Sequence, residues 1–387
     1  MRLPRVAIIT PGTFPIPSGA SSSVERVVEY MASLAAERVH IQIYAKRFQD
    51  QGGSDLVRGV TCERVEAVNS HGYIQQVLRQ LDSFDPDIIQ VENRPRYVLA
   101  VRAARPAARI WLNLHSTTFI HSGHLSKRAL KQAMRECEII LVNSRYLYNQ
   151  VARAAPECKK RIVVNPLGVD QERFISRWSQ AGKQQYLEVR QAQGWEDRQL
   201  ILFAGRLIPL KGVHYLLHAV PHVIRKYPRA LFVIVGGASY GRSRKTNYIR
   251  RLEQLGRRYP QHVRFIPYVS HEEMPRWFGA ADLAVVPSVR RESFGLVNVE
   301  AMASGVPVIA TRVGGIQEVV QHQITGVLMR PSRIGPQLVR ALNQLLGDEQ
   351  LRERMGRAGA ELVGNSFTWR QMAERWEHEI YACGRFQ

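Results

Sequence analysis

Two basic side chains stand five residues apart in the segment FAGRLIPLKG, Phe203 to Gly212: Arg206 and Lys211. The segment follows an apolar, strand-like run and contains a proline, so both cations belong to one loop. Two cations on one loop suit a diphosphate leaving group. Its charge develops as the bond to carbon breaks, and once that charge is stabilised no strong general acid is required. Taken alone, the same pair also reads as two ordinary surface cations.

A second segment carries more information: RRESFGLVNVEAMASGVPVIATRVGG, Arg290 to Gly315. The strand-like LAVVPS ends at Ser288. Glu292, Ser293, Phe294 and Gly295 follow, and a helical pattern runs from about Gly295 to Ser304. A helix that starts there points backbone N–H groups and its positive dipole end at any ligand beyond the strand, which suits a phosphate. Glu292 falls just outside the helix and Glu300 about one and a half turns inside it. Two such carboxylates can grip hydroxyls, one on a ribose and one on a donor sugar. Glu300 lies within an apolar run, so if buried it needs a partner.

The first half offers looser signals. PIPSGASSSVERVV places Gly19 and a serine run between a first strand and a first helix, where a backbone can approach a ligand closely. LNLHST puts His115 at a strand's carboxyl end, with Ser116 and Thr117 after it. A lone histidine is more often structural, and its strand-end position is what gives this one a functional reading.

These positions require a scaffold of strands and helices in alternation. Apolar runs at Val6–Thr10, Val39–Ala45, Ile88–Val91, Ile110–Leu114, Ile139–Asn143 and Ile162–Asn165 predict strands. Between the first two, Val24, Val27, Val28, Met31 and Leu34 form one face of a helix over Val24–Ala36. The alternation pauses over the polar stretch Asp170–Arg198. It resumes at Leu200–Ala204, Leu231–Val235, Val263–Ile266, Leu283–Val286 and Val306–Ala310, and the chain closes in helices at Gly335–Leu346, Glu349–Val363 and Thr368–Tyr381. Strand–helix alternation of this kind predicts α/β architecture with parallel sheets covered on both faces. At 387 residues two domains are expected. The boundary falls near Val169–Asp170, giving domains over 1–169 and 170–365 and a final helical segment, 366–387, returning to the first. Ligands in such sheets gather at the carboxyl ends of strands, which here would line a cleft between two domains facing each other.

Composition bounds the function further. The apolar fraction of 45% is that of a globular protein. The formal charge is +21, and almost all the excess is arginine, since lysine appears only nine times. Arginine's planar fork suits phosphate, though a basic surface spread over solvent accounts for the charge as well. Such a surface also suits weak attraction to an anionic membrane, as does SKRALKQAMRE, with Lys127–Arg135 set against Leu125, Leu130 and Met134. Cys62, Cys137, Cys158 and Cys383 show no metal spacing and fit reduced thiols in a cytoplasmic protein. The N-terminus has too short an apolar run for a signal peptide, and Ser293–Thr311 contains Glu300, Gly305 and Pro307, against a membrane span. His214, His218 and His222 share a helix face with no accompanying carboxylate or cysteine, so no metal is expected there. The basic run Arg242–Arg258 matches no nucleic-acid motif, and no nucleic-acid partner is expected.

Arg206 with Lys211, and Glu292 with Glu300 inside ESFGLVNVEAMASGVPVIATRVGG, resemble the nucleotide-sugar site of family 4 glycosyltransferases of the GT-B fold. The resemblance runs through PLGVD, Pro166–Asp170, to the terminal helices. It implies two Rossmann-like domains, the second binding a nucleotide-diphosphate sugar and the first an acceptor of unstated identity. It implies a retaining transferase without a metal or other cofactor. Arg206 and Lys211 would bind the diphosphate, Glu292 would act at the sugar beside the anomeric carbon, and Glu300 would hold the ribose. Ser293, Phe294, Gly295 and Leu296 would line the sugar and phosphate, Val269 would seat the base, Gly19 would approach the phosphate, and His115 would lie beside the transferred sugar. The family's paired glycine is here Gly19-Ala20, which adds a methyl group where that approach is made. VENRPRY, Val91–Tyr97, resembles bacterial members labelled as spore-coat proteins, so a coat or scaffold protein with little catalysis, spore-associated or peripheral to a membrane, stands as the alternative. An epimerase or phosphorylase of the same fold would need acid–base residues or a cofactor lysine that the sequence does not place.

Overall fold

The computed structural model describes residues 2–19, 23–121, 123–238 and 245–384. The chain divides into two compact units, Met1–Leu167 with Trp369–Gln387, and Gly168–Thr368.

Unit 1 is built on β1 (Arg5–Ile9), β2 (His40–Lys46), β3 (Ser54–Val57), β4 (Val60–Val65), β5 (Ile88–Glu92), β6 (Ile110–Leu114), β7 (Ile139–Val142) and β8 (Ile162–Val164). They form one sheet in the order β3-β4-β2-β1-β5-β6-β7-β8. All the pairings are parallel except β3 with β4, a hairpin at the sheet edge. That hairpin is absent from the strand pattern of the sequence, because SDLV is short, polar and largely exposed. β5 and β6 are buried along their whole length, as strands covered on both faces must be.

The helix Trp369–Cys383 completes this unit from the far end of the chain. Trp369 stacks on Tyr30 of the helix Ser23–Ala35, with ring centroids 5.1 Å apart. Asn165 Nδ2 donates to the Met372 carbonyl at 3.1 Å, and Arg109 donates to the Cys383 carbonyl at 2.8 Å. Trp376 is fully buried.

Unit 2 holds β9 (Gln199–Ala204), β10 (Ala230–Val235), β11 (Val263–Ile266), β12 (Leu283–Val286), β13 (Val308–Thr311) and β14 (Gly326–Met329) in the order β11-β10-β9-β12-β13-β14, parallel throughout. The polar stretch after Asp170 reads in the sequence as a connection. In the fold it is part of the unit's structure. Its helix Gln180–Gln193 brings Arg190 to Asp282, and Arg177 reaches the same carboxylate at 3.0 Å. The Leu200 amide donates to Asp282 at 2.7 Å, and both guanidiniums stack on Tyr186, at 4.2 and 4.1 Å from its ring centroid. One carboxylate thus ties the helix to the starts of β9 and β12.

Burial alone would raise the Asp282 pKa, but Arg177, Arg190 and the Leu200 N–H outweigh it and hold the carboxyl below its ordinary range. A depressed folded pKa stabilises fully above the unfolded value of about 4 and loses that contribution as pH falls through the folded one. Asp282→Asn leaves two buried guanidiniums without their counter-charge, at a cost of about 3 kcal/mol. Melting curves at pH 7 should show this deficit, and the gap between variant and wild type should narrow at pH 3. A gap of equal size at both pH values would refute the ion-pair assignment.

Candidate functional site

In unit 2 the strands end in loops that meet. After β9 the chain passes Arg206, turns through a short 3-10 segment at Pro209–Lys211, and enters the helix Val213–Ile224 at Gly212. Gly212 has φ +71°, and a Cβ there would stand 2.0 Å from the Pro287 carbonyl oxygen, so only glycine lets this loop press on the loop after β12. The main chains join where the Val289 amide donates to the Leu210 carbonyl at 2.8 Å. Held this way, Lys211 Nζ reaches Glu292 Oε2 at 2.5 Å, and Ser288 Oγ donates to the same oxygen at 3.1 Å. The pair is half-buried. Arg206 stays exposed on the same loop.

Glu292 is fixed from below as well as from the side. Gly314, at φ +56°, lies so close that a Cβ would be 1.8 Å from the Glu292 carbonyl oxygen. The neighbouring Gly315 amide donates to that oxygen at 2.9 Å. Beyond Glu292 the chain buries Ser293 and Phe294, the latter 5.9 Å from Phe367 between ring centroids, and starts the helix Leu296–Ala303. Gly295 caps that helix with φ +89° and no side-chain hydrogen bond to its first turn. The fully buried Asn298 donates back to the Gly295 carbonyl at 2.9 Å. Glu300 sits two residues further along the helix, and His271 Nδ1 lies 3.8 Å from its carboxylate. His271 follows β11 in the loop that also carries Val269. The sequence reading missed it, because nothing local to HEE marks it as Glu300's neighbour.

The sequence-derived residues of the second half therefore gather at the carboxyl ends of β9, β11 and β12. The arrangement offers two cations, two carboxylates and a helix N-terminus. Chemically such a set is able to hold a diphosphate with hydroxyl-bearing groups on either side.

His115 and Gly19 belong to unit 1. Gly19 is exposed, and Ala20 lies outside the described residues. His115 is buried at the end of β6. Its Nε2 lies 2.7 Å from Glu92 Oε2, a carboxylate fully buried on β5. Gln90 Nε2 donates to the other Glu92 oxygen at 2.6 Å, and Trp376 Nε1 donates to Gln90 Oε1 at 2.7 Å. Asn93, at φ +55°, accepts the His115 amide at 3.3 Å, and Asn143 Nδ2 donates to the His115 carbonyl at 3.1 Å. With the carboxylate accepting from Nε2–H, the other ring nitrogen, Nδ1, is buried without a hydrogen-bond partner. Glu92 is thus the partner of His115 that the sequence reading passed over. An acidic residue ending an otherwise apolar strand, IIQVE, was the signal available.

Elsewhere, His214 of the three-histidine face bonds Tyr248 at 2.8 Å. Among the described residues no group of three or more His, Cys, Asp or Glu is placed to hold a metal ion, and no helix is long and apolar enough to cross a membrane. The helix Lys127–Arg135 buries Leu130 and Met134 in unit 1 and leaves its basic side chains outside.

Two doubly wound parallel-sheet units, the second with cations and carboxylates around a helix N-terminus, define the GT-B glycosyltransferase class. Crystal structures of that class superpose over nearly the whole chain. HepE of Anabaena in complex with UDP gives a TM-score of 0.78 at 21% identity, covering 98% of this chain and 100% of that one. Sucrose-phosphate synthase of Thermosynechococcus elongatus gives 0.81 at 20% identity, covering 99% and 100%. At such identities the likeness establishes the fold. The model of glycosyl transferases group 1 matches residues 186–362 and that of glycosyltransferase family 4 matches residues 19–173, without overlap and together over most of the sequence. The chain belongs to this family of glycosyltransferases. Among its relatives, spore coat protein SA of Bacillus subtilis is 26% identical over 96% of this chain and 97% of its own length. A D-inositol 3-phosphate glycosyltransferase of Jonesia denitrificans is 42% identical over 45% of this chain and 40% of its own.

Glu92→Leu should leave the Gln90 amide and His115 Nε2 with no buried acceptor, costing about 1–3 kcal/mol for each orphaned donor. Glu92→Gln keeps an acceptor oxygen and should recover part of that loss. Thermal melting of the two variants checks this, and equal melting temperatures for wild type and Glu92→Leu would refute it.

Proposed function

We propose that this glycosyltransferase takes its sugar from a nucleoside-diphosphate sugar bound by unit 2 and transfers it, with retention of anomeric configuration and without a metal ion, to an acceptor bound by unit 1. The observation that carries the reading is Lys211 on Glu292 beside the uncapped helix Leu296–Ala303, with Arg206 on the same loop.

Arg206 and Lys211 take the diphosphate, assisted by the backbone N–H groups from Ser293 to Leu296. Glu292 then exchanges part of its hold on Lys211 for a hydroxyl of the sugar next to the anomeric carbon. Glu300, with His271 behind it, holds the ribose, and Val269 seats the base. In the transfer the anomeric C–O bond breaks and its electron pair goes to the departing phosphate oxygen. The acceptor hydroxyl attacks from the same face and passes its proton to that oxygen, so no covalent enzyme intermediate is needed. The two cations stabilise the leaving group in place of a metal. His115, its ring oriented by Glu92, contacts the transferred sugar, and Gly19 approaches the phosphate. HepE, with 98% of this chain superposed, has been crystallised with UDP-glucose, which is consistent with a nucleotide-sugar donor. For the cell, we propose a cytoplasmic protein whose exposed basic side chains give it a peripheral attraction to anionic lipid.

A second reading, a coat or scaffold protein with little turnover, is favoured by the full-length relationship to spore coat protein SA. One experiment separates the two. UDP, GDP, ADP, TDP and their sugars are screened by thermal shift on wild type and on the Arg206→Ala, Lys211→Ala double variant. A ligand at about 100 times its Kd adds about 2.7 kcal/mol. One nucleotide should stabilise wild type, the double variant should lose that shift, EDTA should leave turnover unchanged, and NMR of the product should give the anomer of the donor. No shift with any nucleotide would favour the scaffold.

A further inference from the structure

The loop after β1 is fastened at two backbone atoms just ahead of Gly19. The Ile16 carbonyl accepts from Arg64 Nε at 2.9 Å, from Arg64 Nη2 at 2.8 Å and from Gln51 Nε2 at 2.9 Å. Two residues on, the Ser18 amide donates to Glu29 Oε1 at 2.5 Å. A carbonyl oxygen has two lone pairs, so three donors saturate it and leave the segment little freedom.

The anchors come from separate elements that meet beneath the loop. Arg64 lies on β4, its side chain fully buried, and its guanidinium also bonds Asp55 on β3 at 2.8 Å. Glu29 is buried on the helix Ser23–Ala35. Arg58, at the turn between β3 and β4, stands 3.8 Å from the second Glu29 oxygen and 4.3 Å from the centroid of the Tyr30 ring. The edge hairpin that the strand pattern of the sequence lacks thus supports both anchors, Arg64 through Asp55 and Glu29 through Arg58.

Stability does not account for these charges. Buried ions are expensive, and apolar residues of similar volume often serve a fold as well or better. Burial pushes the Glu29 carboxyl above its ordinary pKa, although the Ser18 amide, Arg58 and Arg26 pull it down. A carboxyl whose pKa folding raises favours the fold only while protonated, so at neutral pH its charge costs stability. What Glu29 and Arg64 do supply is a single conformation of the Ile16–Ser18 backbone.

We propose that Glu29 and Arg64 are positioning residues, which hold the Ile16–Ser18 backbone so that Gly19 meets the donor's phosphate in a ready-made conformation. That role rests on the transferase reading, in which Gly19 approaches the phosphate, whereas the clamp itself does not. A loop ordered beforehand spares the ligand the entropy of ordering it. Fixing the backbone of one residue is worth about a factor of ten in affinity.

Two measurements on the full chain test this. Amide exchange at Ser18 should be slow in wild type and faster in Glu29→Leu, while the β1 amides stay as they are. Glu29→Gln keeps an acceptor oxygen and should exchange nearly as slowly as wild type. Calorimetric titration with UDP, GDP, ADP and TDP then measures the consequence. The best-bound of the four should bind about tenfold more weakly to Glu29→Leu and to Arg64→Lys, whose ammonium cannot set a planar fork on the Ile16 carbonyl. Glu29→Gln should bind nearly as wild type does, and at pH 7 should melt no lower. If Arg64→Lys disturbs the fold, the two Glu29 variants decide. Lower melting temperatures with unchanged nucleotide affinity would mark a merely structural role and overturn the proposal. Ser18 exchange indifferent to Glu29→Leu would overturn it as well. If wild type binds none of the four nucleotides, the transferase reading falls instead, and the exchange measurement still decides whether the clamp exists.

Discussion

At the carboxyl end of the unit 2 sheet, main chain meets main chain with no room for a side chain between. Gly212 lies on the carbonyl of Pro287, and Gly314 lies on the carbonyl of Glu292, each at a distance no Cβ could tolerate. Both also hold positive φ, which L residues with side chains adopt only under strain. These two contacts draw the loops after β9, β12 and β13 into one layer. The ion pair of Lys211 with Glu292, 81 residues apart in sequence, is a consequence of that layer rather than its cause. An ion pair of two half-exposed side chains has little energy with which to organise loops. The backbone contacts fix where the charges stand, and the charges then define what can bind.

Part of the arginine excess finds a similar explanation. Arg64, Arg177, Arg190 and Arg352 are buried and serve the interior of the fold instead of its surface. Arg64 is buried and donates twice to the Ile16 carbonyl, at 2.9 and 2.8 Å. Arg352 donates to the Leu345 carbonyl at 2.6 Å at a helix end, and Arg198 to that of Gln261 at 2.7 Å. The five donors of a guanidinium reach orphan carbonyls that a lysine would satisfy singly. Net charge therefore exaggerates the anion-seeking surface, and position matters more than number.

How far the sequence could be read depended on where each contact lies along it. Arg206 with Lys211, and Glu292 with Glu300, sit within two short segments whose strand–loop–helix pattern is local, so their placement at strand ends was legible. Most of the strands followed from alternation, apart from the edge strand β3, whose polar SDLV lacks the expected pattern, and β4 and β14. The polar stretch after Asp170 was illegible for a different reason. Its Arg177, Tyr186 and Arg190 look like solvated residues until Asp282, about a hundred positions later, is brought beneath them. Glu92 and His271 were missed likewise, since each gains meaning only from a partner on another element, His115 at the end of β6 and Glu300 on a helix.

The helix Trp369–Cys383 gives unit 1 a discontinuous chain, with all of unit 2 inserted between its two parts. A ribosome delivers the last piece of unit 1 only after unit 2 has emerged whole. The inserted unit is thus the first to have its full sequence available, while the sheet that begins the chain must wait with the stacking face of Tyr30 and the amide oxygen of Gln90 unmet. Damage to the final fifteen or so residues, by a premature stop or a protease, would therefore fall on the part of the protein encoded first.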